Sequence, residues 1–300
     1  QDLSCWDISS VSSHDNFQTS WGDGNTPPLW DGTVCTAQTT MDLTNAFQIT
    51  VTGSEFKFLN EERNSSLAFN YNVDCDSDGI TDGSGVKGGF TCTYPTDGTH
   101  TLSITGDISQ FHIDEESLGN LVTIKQWGDI EWVDMYSAFA NTPNLTGIED
   151  GAGIPTFAQD ATLTALFLQA PQFTADLSQW DMSKVKHSSY LFAQALVFNS
   201  DLSEWNMSNI VNMDGMFAGA NAFSSDLSKW DVSSARTLNG MFTVTASFNS
   251  DLSKWDVSNV ETMNLMFAYA QAFTGQDLSC WDISSVSSHD NFQTSWGDGN

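Results

Sequence analysis

Residues 221–245 read NAFSSDLSKWDVSSARTLNGMFTVT, and residues 246–270 read ASFNSDLSKWDVSNVETMNLMFAYA. The same pattern extends over about residues 125–300, and its tryptophans recur every 25 residues with a single 26-residue step: Trp180, Trp205, Trp230, Trp255 and Trp281. A fixed period near 25 residues is typical of a leucine-rich-repeat-like solenoid, in which each unit buries its apolar face only against its neighbours. The repeats therefore predict a solenoid.

Each repeat combines an extended pattern with a helical one. The DLSxW segment reads as extended, and the residues after it read as a helix, because Ser258 and Glu261 form a capping-box signature. Four apolar residues fall on one face of this predicted helix: Val260, Met263, Phe267 and Ala270. Recurring phenylalanines between helix and strand are expected to stack along the core: Phe198, Phe223, Phe248 and Phe273. The repeats thus predict an α/β solenoid.

A different pattern precedes the repeats. From about Thr36 to Thr105, apolar and polar residues alternate between turn signals, which predicts a small all-β domain. Within it, FTCTYPTDGTHTLSI (residues 90–104) resembles the closing hairpin of PKD-type immunoglobulin-like domains, with Tyr94 and Gly98 at the positions of the family's tyrosine and glycine turn. The resemblance implies a β-sandwich in which Cys75 replaces the usual tryptophan.

The repeats resemble the BspA-like leucine-rich repeats of the DUF285 type, whose consensus is FNxDLSxWDVSxVxxMxxMFxxA. The match covers roughly residues 120–300, and IKQWGDIEWVDMYSAFANTPNLTG (residues 124–147) looks like the family's opening segment. The resemblance implies a large surface-exposed protein with interaction roles, and it implies no catalytic site. The combined expectation is an α+β chain: a PKD/Ig-like sandwich followed by an LRR-like α/β solenoid.

Residues 1–25 and 276–300 are identical letter for letter, so that Gln1 and Gln276 are the same position 275 residues apart. This identity indicates recent tandem duplication and predicts one module of a longer array. Five regions follow from this interpretation. They are the last solenoid repeat of the preceding module (1–25), a connector (26–35), the sandwich (36–106), an N-terminal solenoid cap with degenerate repeats (107–170), and the BspA-like solenoid with its C-terminal connector (171–300).

The charge balance limits the possible partners. With 38 acidic and 9 basic residues, the net charge is −29. This balance argues against nucleic acid or an anionic membrane as partner, since both need Lys and Arg to neutralise phosphate. Cations are favoured instead, and the alternative is ordinary solubility charge in a saline habitat. No stretch approaches the roughly 18–20 apolar residues that span a bilayer.

The five cysteines, Cys5, Cys35, Cys75, Cys92 and Cys280, are too few for a disulfide-built miniprotein and are not spaced as CxxC metal pairs. Because Cys280 is Cys5 of the next copy, we predict Cys75 bonded to Cys92, Cys5 bonded to Cys35 across a junction, and Cys280 bonded to the Cys35 of the next module. This pairing favours an oxidising, extracellular setting, and the alternative is free buried thiols.

One acidic turn resembles a calcium loop. Four alternating carboxylates could converge on a hard cation: Asp74, Asp76, Asp78 and Asp82. Gly79 stands where a DxDxDG loop needs its sharp turn, but the twelfth position is Gly85 instead of Glu. Ca²⁺ is the one cofactor the sequence suggests. The alternative is a β-turn whose Asp side chains bond backbone amides.

The repeats also predict stacked rows of like residues. Two aspartate rows are expected to bond backbone amides, with bound cations as the alternative: Asp176, Asp201, Asp226, Asp251 and Asp277 in the first, and Asp181, Asp231, Asp256 and Asp282, interrupted by Asn206, in the second. The tryptophan row is expected in the core instead of on an exposed platform for sugars. The variable positions before each tryptophan are expected to point outward as a binding surface: Gln179, Glu204, Lys229, Lys254 and Cys280.

Two functional classes follow. The first is a structural subunit of an extracellular filament or cell-surface stalk, with the next copy of the module as its head-to-tail partner. The second is an adhesin whose solenoid face binds a host or matrix protein or glycan, with repetition giving avidity. Catalysis is not expected, because the histidines are scattered and no GxSxG or HExxH motif occurs.

Overall fold

The computed structural model describes residues 39–58 and 69–292, and these residues form almost only strands and turns. The strands in chain order are β1 (Phe47–Phe58), β2 (Asn70–Asp74), β3 (Gly83–Val86), β4 (Phe90–Asp107), β5 (Leu121–Gln126), β6 (Glu131–Asp134), β7 (Gly147–Ile148), β8 (Thr156–Thr162) and β9 (Val185–His187). One short 3-10 helix, Glu115–Asn120, follows Asp114, whose carboxylate accepts a hydrogen bond from the Glu116 N–H at 3.0 Å.

The N-terminal strands form one six-stranded sheet in the order β3-β2-β4-β1-β5-β7. The long pair β1–β4 is antiparallel, and Gly53 pairs with Gly98 inside it. Between this pair and the pair Glu55–Thr93, β1 advances by two residues and β4 by five, so β4 bulges. The predicted hairpin at Gly98 is therefore wrong, because both halves of the segment pair with β1.

The structure does not confirm the predicted sandwich. In the described part of the chain, the strands of this region pair into a single sheet. The sheet also crosses residues 106–107, because β5 pairs with β1 and β7 pairs in parallel with β5. Gly147 of β7 then bridges to Thr174, which links the sheet to the repeats.

One continuous apolar core joins the sheet to the solenoid. The Phe47 ring of β1 lies 5.2 Å from the Phe111 ring and 5.2 Å from the Trp132 ring of β6. Trp132 is fully buried, and Phe111 lies 5.8 Å from Phe139 of the first coil. The first coils of the solenoid are thus packed directly on the sheet.

The repeats wind as coils that stack in parallel register. Strands β6, β8 and β9 form the first three rungs, and single-residue bridges continue the ladder through His187, Asn212, Thr237, Thr262 and Ser288. Stacked phenylalanines fill the coils, with Phe198, Phe223, Phe248 and Phe273 at successive centroid distances of 6.2, 5.9 and 5.8 Å. The predicted phenylalanine column is confirmed.

The helix predicted in each repeat is wrong, and with it the α+β class and the α/β solenoid. The capping box does not form: the Glu261 N–H donates to the carbonyl of Arg236 in the preceding coil at 2.8 Å, and the Ser258 N–H donates to Asp256. The four residues of the predicted helical face are nevertheless buried: Val260, Met263, Phe267 and Ala270. The apolar pattern therefore predicts which residues are buried, but it does not predict the backbone conformation.

The coils replace helical hydrogen bonds with bonds to the next coil. Tyr190, Phe192 and Gln194 donate their N–H groups to carbonyls 24 residues ahead, at 2.7 to 2.9 Å. The residues between them, such as Leu191 and Ala193, donate to the third residue before them. These tight turns return apolar side chains to the core every three or four residues, which is also the spacing of a helix face.

Candidate functional site

Cys75 and Cys92 form a disulfide between the residue that follows β2 and the start of β4, with their Cα atoms 5.6 Å apart. This is the pair expected within the β domain. Cys280 is a free, exposed thiol in the last described coil. The other predicted partners, Cys5 and Cys35, lie outside the described residues.

The acidic turn after β2 is held by its own carboxylates. Asp74 is fully buried and accepts from the Gly79 N–H at 2.8 Å, while Asp82 accepts from the Cys75 N–H at 2.8 Å. Burial raises the pKa of Asp74 above its ordinary value. Oxygens of Asp74, Asp76 and Asp78 lie within 4.8 Å of one another, and Asp82 is not part of this group. With one oxygen each, these three carboxylates supply fewer than the roughly 6–8 oxygen ligands that Ca²⁺ takes. A bound Ca²⁺ therefore stays a prediction.

The two aspartate rows bond backbone amides, as expected from the sequence. Each aspartate of the two rows accepts from the N–H of the serine two residues later, as Asp226 does from Ser228 at 2.9 Å and Asp256 from Ser258 at 3.0 Å. Hydrogen bonds from these serines lower the pKa of eight aspartates in the rows: Asp176, Asp181, Asp201, Asp226, Asp251, Asp256, Asp277 and Asp282. The rows therefore serve as turn caps.

The tryptophan row lies in the core. Trp205, Trp230 and Trp255 are each 3% exposed, and their rings stack at 6.5 and 6.2 Å. Each indole Nε1 donates to the carbonyl of a leucine in the preceding coil, as Trp230 does to Leu202 at 2.8 Å. The ring faces of Trp205 and Trp230 are covered by their neighbours in the row.

The positions predicted to point outward do so. Gln179, Glu204, Lys229, Lys254 and Cys280 are all exposed. Lys229 and Glu204 form an ion pair across neighbouring coils at 2.5 Å. The side chains of this row are polar, and two of them form this ion pair with each other. The role of the row as a binding surface stays a prediction.

The last described coil carries an apolar cavity of about 650 Å³. Its walls include Met263, Leu278, Trp281 and Val286, together with Ile283, which is 52% exposed. An apolar concave surface of this kind can receive an apolar segment of a partner.

A second surface, which was not predicted from the sequence, contains residues with left-handed backbone in successive coils. Six coils each place two residues, four positions apart, in the left-handed backbone region with φ between +53° and +71°. The pairs are Ser137 and Asn141, Ala165 and Gln169, Tyr190 and Gln194, Gly215 and Gly219, Gly240 and Val244, and Leu265 and Tyr269. Left-handed backbone costs a residue with a side chain about 1–2 kcal/mol. Glycine is therefore the expected residue at these positions.

We call the surface formed by these segments the uncharged face: residues 135–147, 163–175, 188–200, 213–225, 238–250 and 263–275. Together they contain one charged residue, Asp214, although the chain has 38 acidic and 9 basic residues. At one end of the face, a groove of about 390 Å³ runs between amide side chains and apolar ones: Asn141, Gln169 and Gln194, and Pro143, Pro171 and Leu196. The runs without charged residues are visible in the sequence. Their exposure was not predicted, because a helix was expected at these residues.

A family model described as "Mycoplasma protein of unknown function, DUF285" matches residues 109–220 and 201–296, which together cover more than half of the chain. No curated protein and no solved structure matches significantly. Among the described residues, no helix has the length and hydropathy needed to cross a membrane.

Proposed function

We propose that this chain, which belongs to the DUF285 family, is a structural module of an extracellular filament or cell-surface stalk. In this proposal each module is joined head to tail to further copies. The family match confirms the resemblance of the repeats. It begins at residue 109, so the PKD-like resemblance of residues 36–106 stays a prediction. The observation that carries the proposal is the identity of residues 1–25 with residues 276–300.

The solenoid has the properties of a stiff spacer. Neighbouring coils bond each other through backbone groups, and in the regular repeats also through buried serine and tryptophan side chains, so bending would break several contacts. Solenoids of this kind gain stability from each neighbour interface, and length is added by adding coils. The Cys75–Cys92 disulfide supports an oxidising location outside the cell.

The joint between copies is the last coil. In the sequence, residues 1–25 are followed by TPPLWDGTVC (residues 26–35), which holds Leu29, Trp30 and Cys35. In an array this segment follows the residues equivalent to 276–300 in the chain. The apolar cavity around Trp281 and Val286 belongs to the last described coil. We propose that the cavity receives apolar residues of the following copy and that the exposed Cys280 thiol bonds its Cys35.

A two-copy chain, residues 1–300 followed by residues 26–300, tests this joint. Peptide mapping without reduction should find Cys280 of the first copy bonded to Cys35 of the second, with Cys280 of the second copy free. Small-angle scattering should give a maximum dimension close to twice that of the single chain. The control is the same two-copy chain with Cys280→Ser in its second copy, which should keep both results. A free Cys280 in the first copy, or two copies folded back on each other, would contradict the proposal.

A further inference from the structure

The charges of this protein are unevenly distributed. The two aspartate rows and the outward row carry most of the charge of the solenoid, whereas the six segments of the uncharged face carry only Asp214. Asp214 is itself engaged, because its carboxylate accepts from the Asn239 N–H at 2.7 Å and from the Asn239 Nδ2 at 3.1 Å. One side of the solenoid, six coils long, therefore carries a single charged group, and that group is already hydrogen-bonded.

Bulky side chains occupy strained positions on this face. Tyr190, Val244, Leu265 and Tyr269 have φ between +56° and +59°, and their exposures are 47%, 48%, 41% and 52%. Gly240 stands at the position equivalent to Leu265, so the coil folds there without a side chain. A β-branched or bulky residue in this region is an outlier, and a hypothesis of function can start from such an outlier. The Tyr190 ring packs against Gly215 of the next coil, whereas Val244, Leu265 and Tyr269 are only partly buried in this chain.

We propose that the uncharged face is a lateral interface between two copies of this chain. With a net charge of −29, two copies repel, and contact through the aspartate rows would bring carboxylates together. The uncharged face is the side of the solenoid where a second copy docks without that repulsion. Depletion of charge together with exposed tyrosine is also the composition found at the centre of protein interfaces.

The local contacts favour an apolar protein surface over a sugar. Val244 donates its N–H to Ala268 at 2.8 Å, next to Tyr269 on the neighbouring coil, and Thr243 bonds the Leu265 carbonyl at 2.6 Å. Val244, Leu265 and Tyr269 therefore lie as exposed side chains on adjacent coils of this face. These side chains offer aliphatic surface beside one aromatic ring. The proposed interface joins modules side by side, and it stands independently of the head-to-tail joint.

Sedimentation velocity of the 300-residue chain tests the proposal. All samples carry Cys280→Ser, so that the exposed thiol cannot link copies. We expect concentration-dependent dimers that increase between about 0.15 M and about 1 M salt, because salt screens the repulsion between two acidic copies. Leu265→Glu and Tyr269→Glu should each reduce dimerisation at least tenfold. Gln179→Glu adds the same charge at an exposed position outside this face and should leave dimerisation unchanged.

Glycine variants separate an interface from a folding role. In Val244→Gly, relief of the left-handed strain should keep the thermal midpoint at or above that of the parent while dimerisation falls. A monomeric parent at both salt concentrations would overturn the proposal, as would equal loss of dimer in Gln179→Glu. A monomeric chain that binds dextran or mannan in calorimetry, and loses that binding in Tyr269→Ala, would also overturn it and would favour a neutral glycan as the occupant.

Discussion

Side chains from the next coil satisfy both backbone polar groups of the leucine in a DLSxW segment. The Leu227 N–H donates to Ser250 Oγ at 2.8 Å, and the Leu227 carbonyl accepts from Trp255 Nε1 at 3.0 Å. Ser250 Oγ in turn donates to Asp226 at 3.0 Å. The two bonds to Leu227 are buried, so loss of the Ser250 bond leaves the Leu227 N–H without water or partner.

Removal of one such serine should therefore be costly. In Ser250→Ala the buried Leu227 N–H loses its acceptor, and we expect the free energy of unfolding to fall by about 1–3 kcal/mol. Urea unfolding followed by tryptophan fluorescence measures the change. Ser253→Ala is the matched control, because the Ser253 backbone N–H keeps its bond to Asp251 and the hydroxyl that is lost bonds the same carboxylate at the exposed surface. Equal losses in both variants would contradict the argument.

The disulfide makes a second prediction at this scale. Cys75 and Cys92 are 17 residues apart, and a crosslink of this loop length stabilises by about 3 kcal/mol in the chain-entropy model. The double variant Cys75→Ser with Cys92→Ser should lose about that much in chemical denaturation. Cys280→Ser removes an exposed free thiol and should leave the midpoint unchanged. A double variant as stable as the parent would show that the native bond is strained or dispensable.

Residue types that act on their own neighbours in the chain were predictable. An aspartate two residues before a serine can bond its amide locally, so the aspartate rows followed from the sequence alone. The bonds of Leu227 could not be predicted in this way, because Ser250 and Trp255 lie 23 and 28 residues away in sequence. Only the stacking of coils brings them together.

At the scale of the coil, the apolar pattern determines which residues are buried but not how the backbone runs. Val260 and Phe267 are buried, as they would be on a helix face. However, Leu265 lies between them in the left-handed backbone region, and Tyr269 follows in the same region, so the segment is not a helix. Bonds to the neighbouring coil stabilise this backbone. A single repeat has no neighbour, so sequence periodicity within it could not distinguish the two structures.

The paired phenylalanines should make each coil sensitive to truncation. Phe223 is fully buried and stacks on Phe217 at 3.9 Å within its coil and on Phe248 at 5.9 Å in the next. Phe223→Ala should cost about 3–5 kcal/mol. Hydrogen exchange should show faster exchange in the two adjacent coils than in β1 and β4, because repeat interfaces transmit stability only to neighbours. The control Val197→Ala, at a 47% exposed position, should change stability by less than about 0.5 kcal/mol.

At the scale of the whole molecule, the fold assigns different work to different sides. Aspartates cap the turns on one side, aromatic columns fill the interior, and the uncharged face occupies another side. The sequence predicted the first two, because their residues repeat at fixed positions. The runs without charge are visible in the sequence. Their exposure depends on left-handed backbone at residues such as Tyr190 and Tyr269, which no residue type other than glycine favours, so the face as a surface is seen only in the structure.

The same arrangement makes stability depend on pH in a defined direction. Serine hydrogen bonds lower the pKa of aspartates such as Asp226 and Asp256 below the ordinary value of 3.8, so folding favours their ionised form. Their contribution is therefore present above about pH 4 and is lost as the pH falls through the lowered values. Asp74 acts in the opposite direction, because its raised pKa makes its ionised form costly when folded.

Calorimetry in about 1 M salt isolates this effect, since the Debye length is then about 3 Å and the repulsion among the net charges is screened. The thermal midpoint should stay nearly constant from about pH 7 to about pH 5 and fall below about pH 4, where the aspartates of the rows protonate. Asp226→Asn keeps an acceptor oxygen for the Ser228 N–H and removes the charge. This variant should be less stable than the parent at neutral pH, and the difference should shrink in acid. A midpoint that rises steadily down to about pH 3 would mean that relief of repulsion outweighs the lost caps even in high salt.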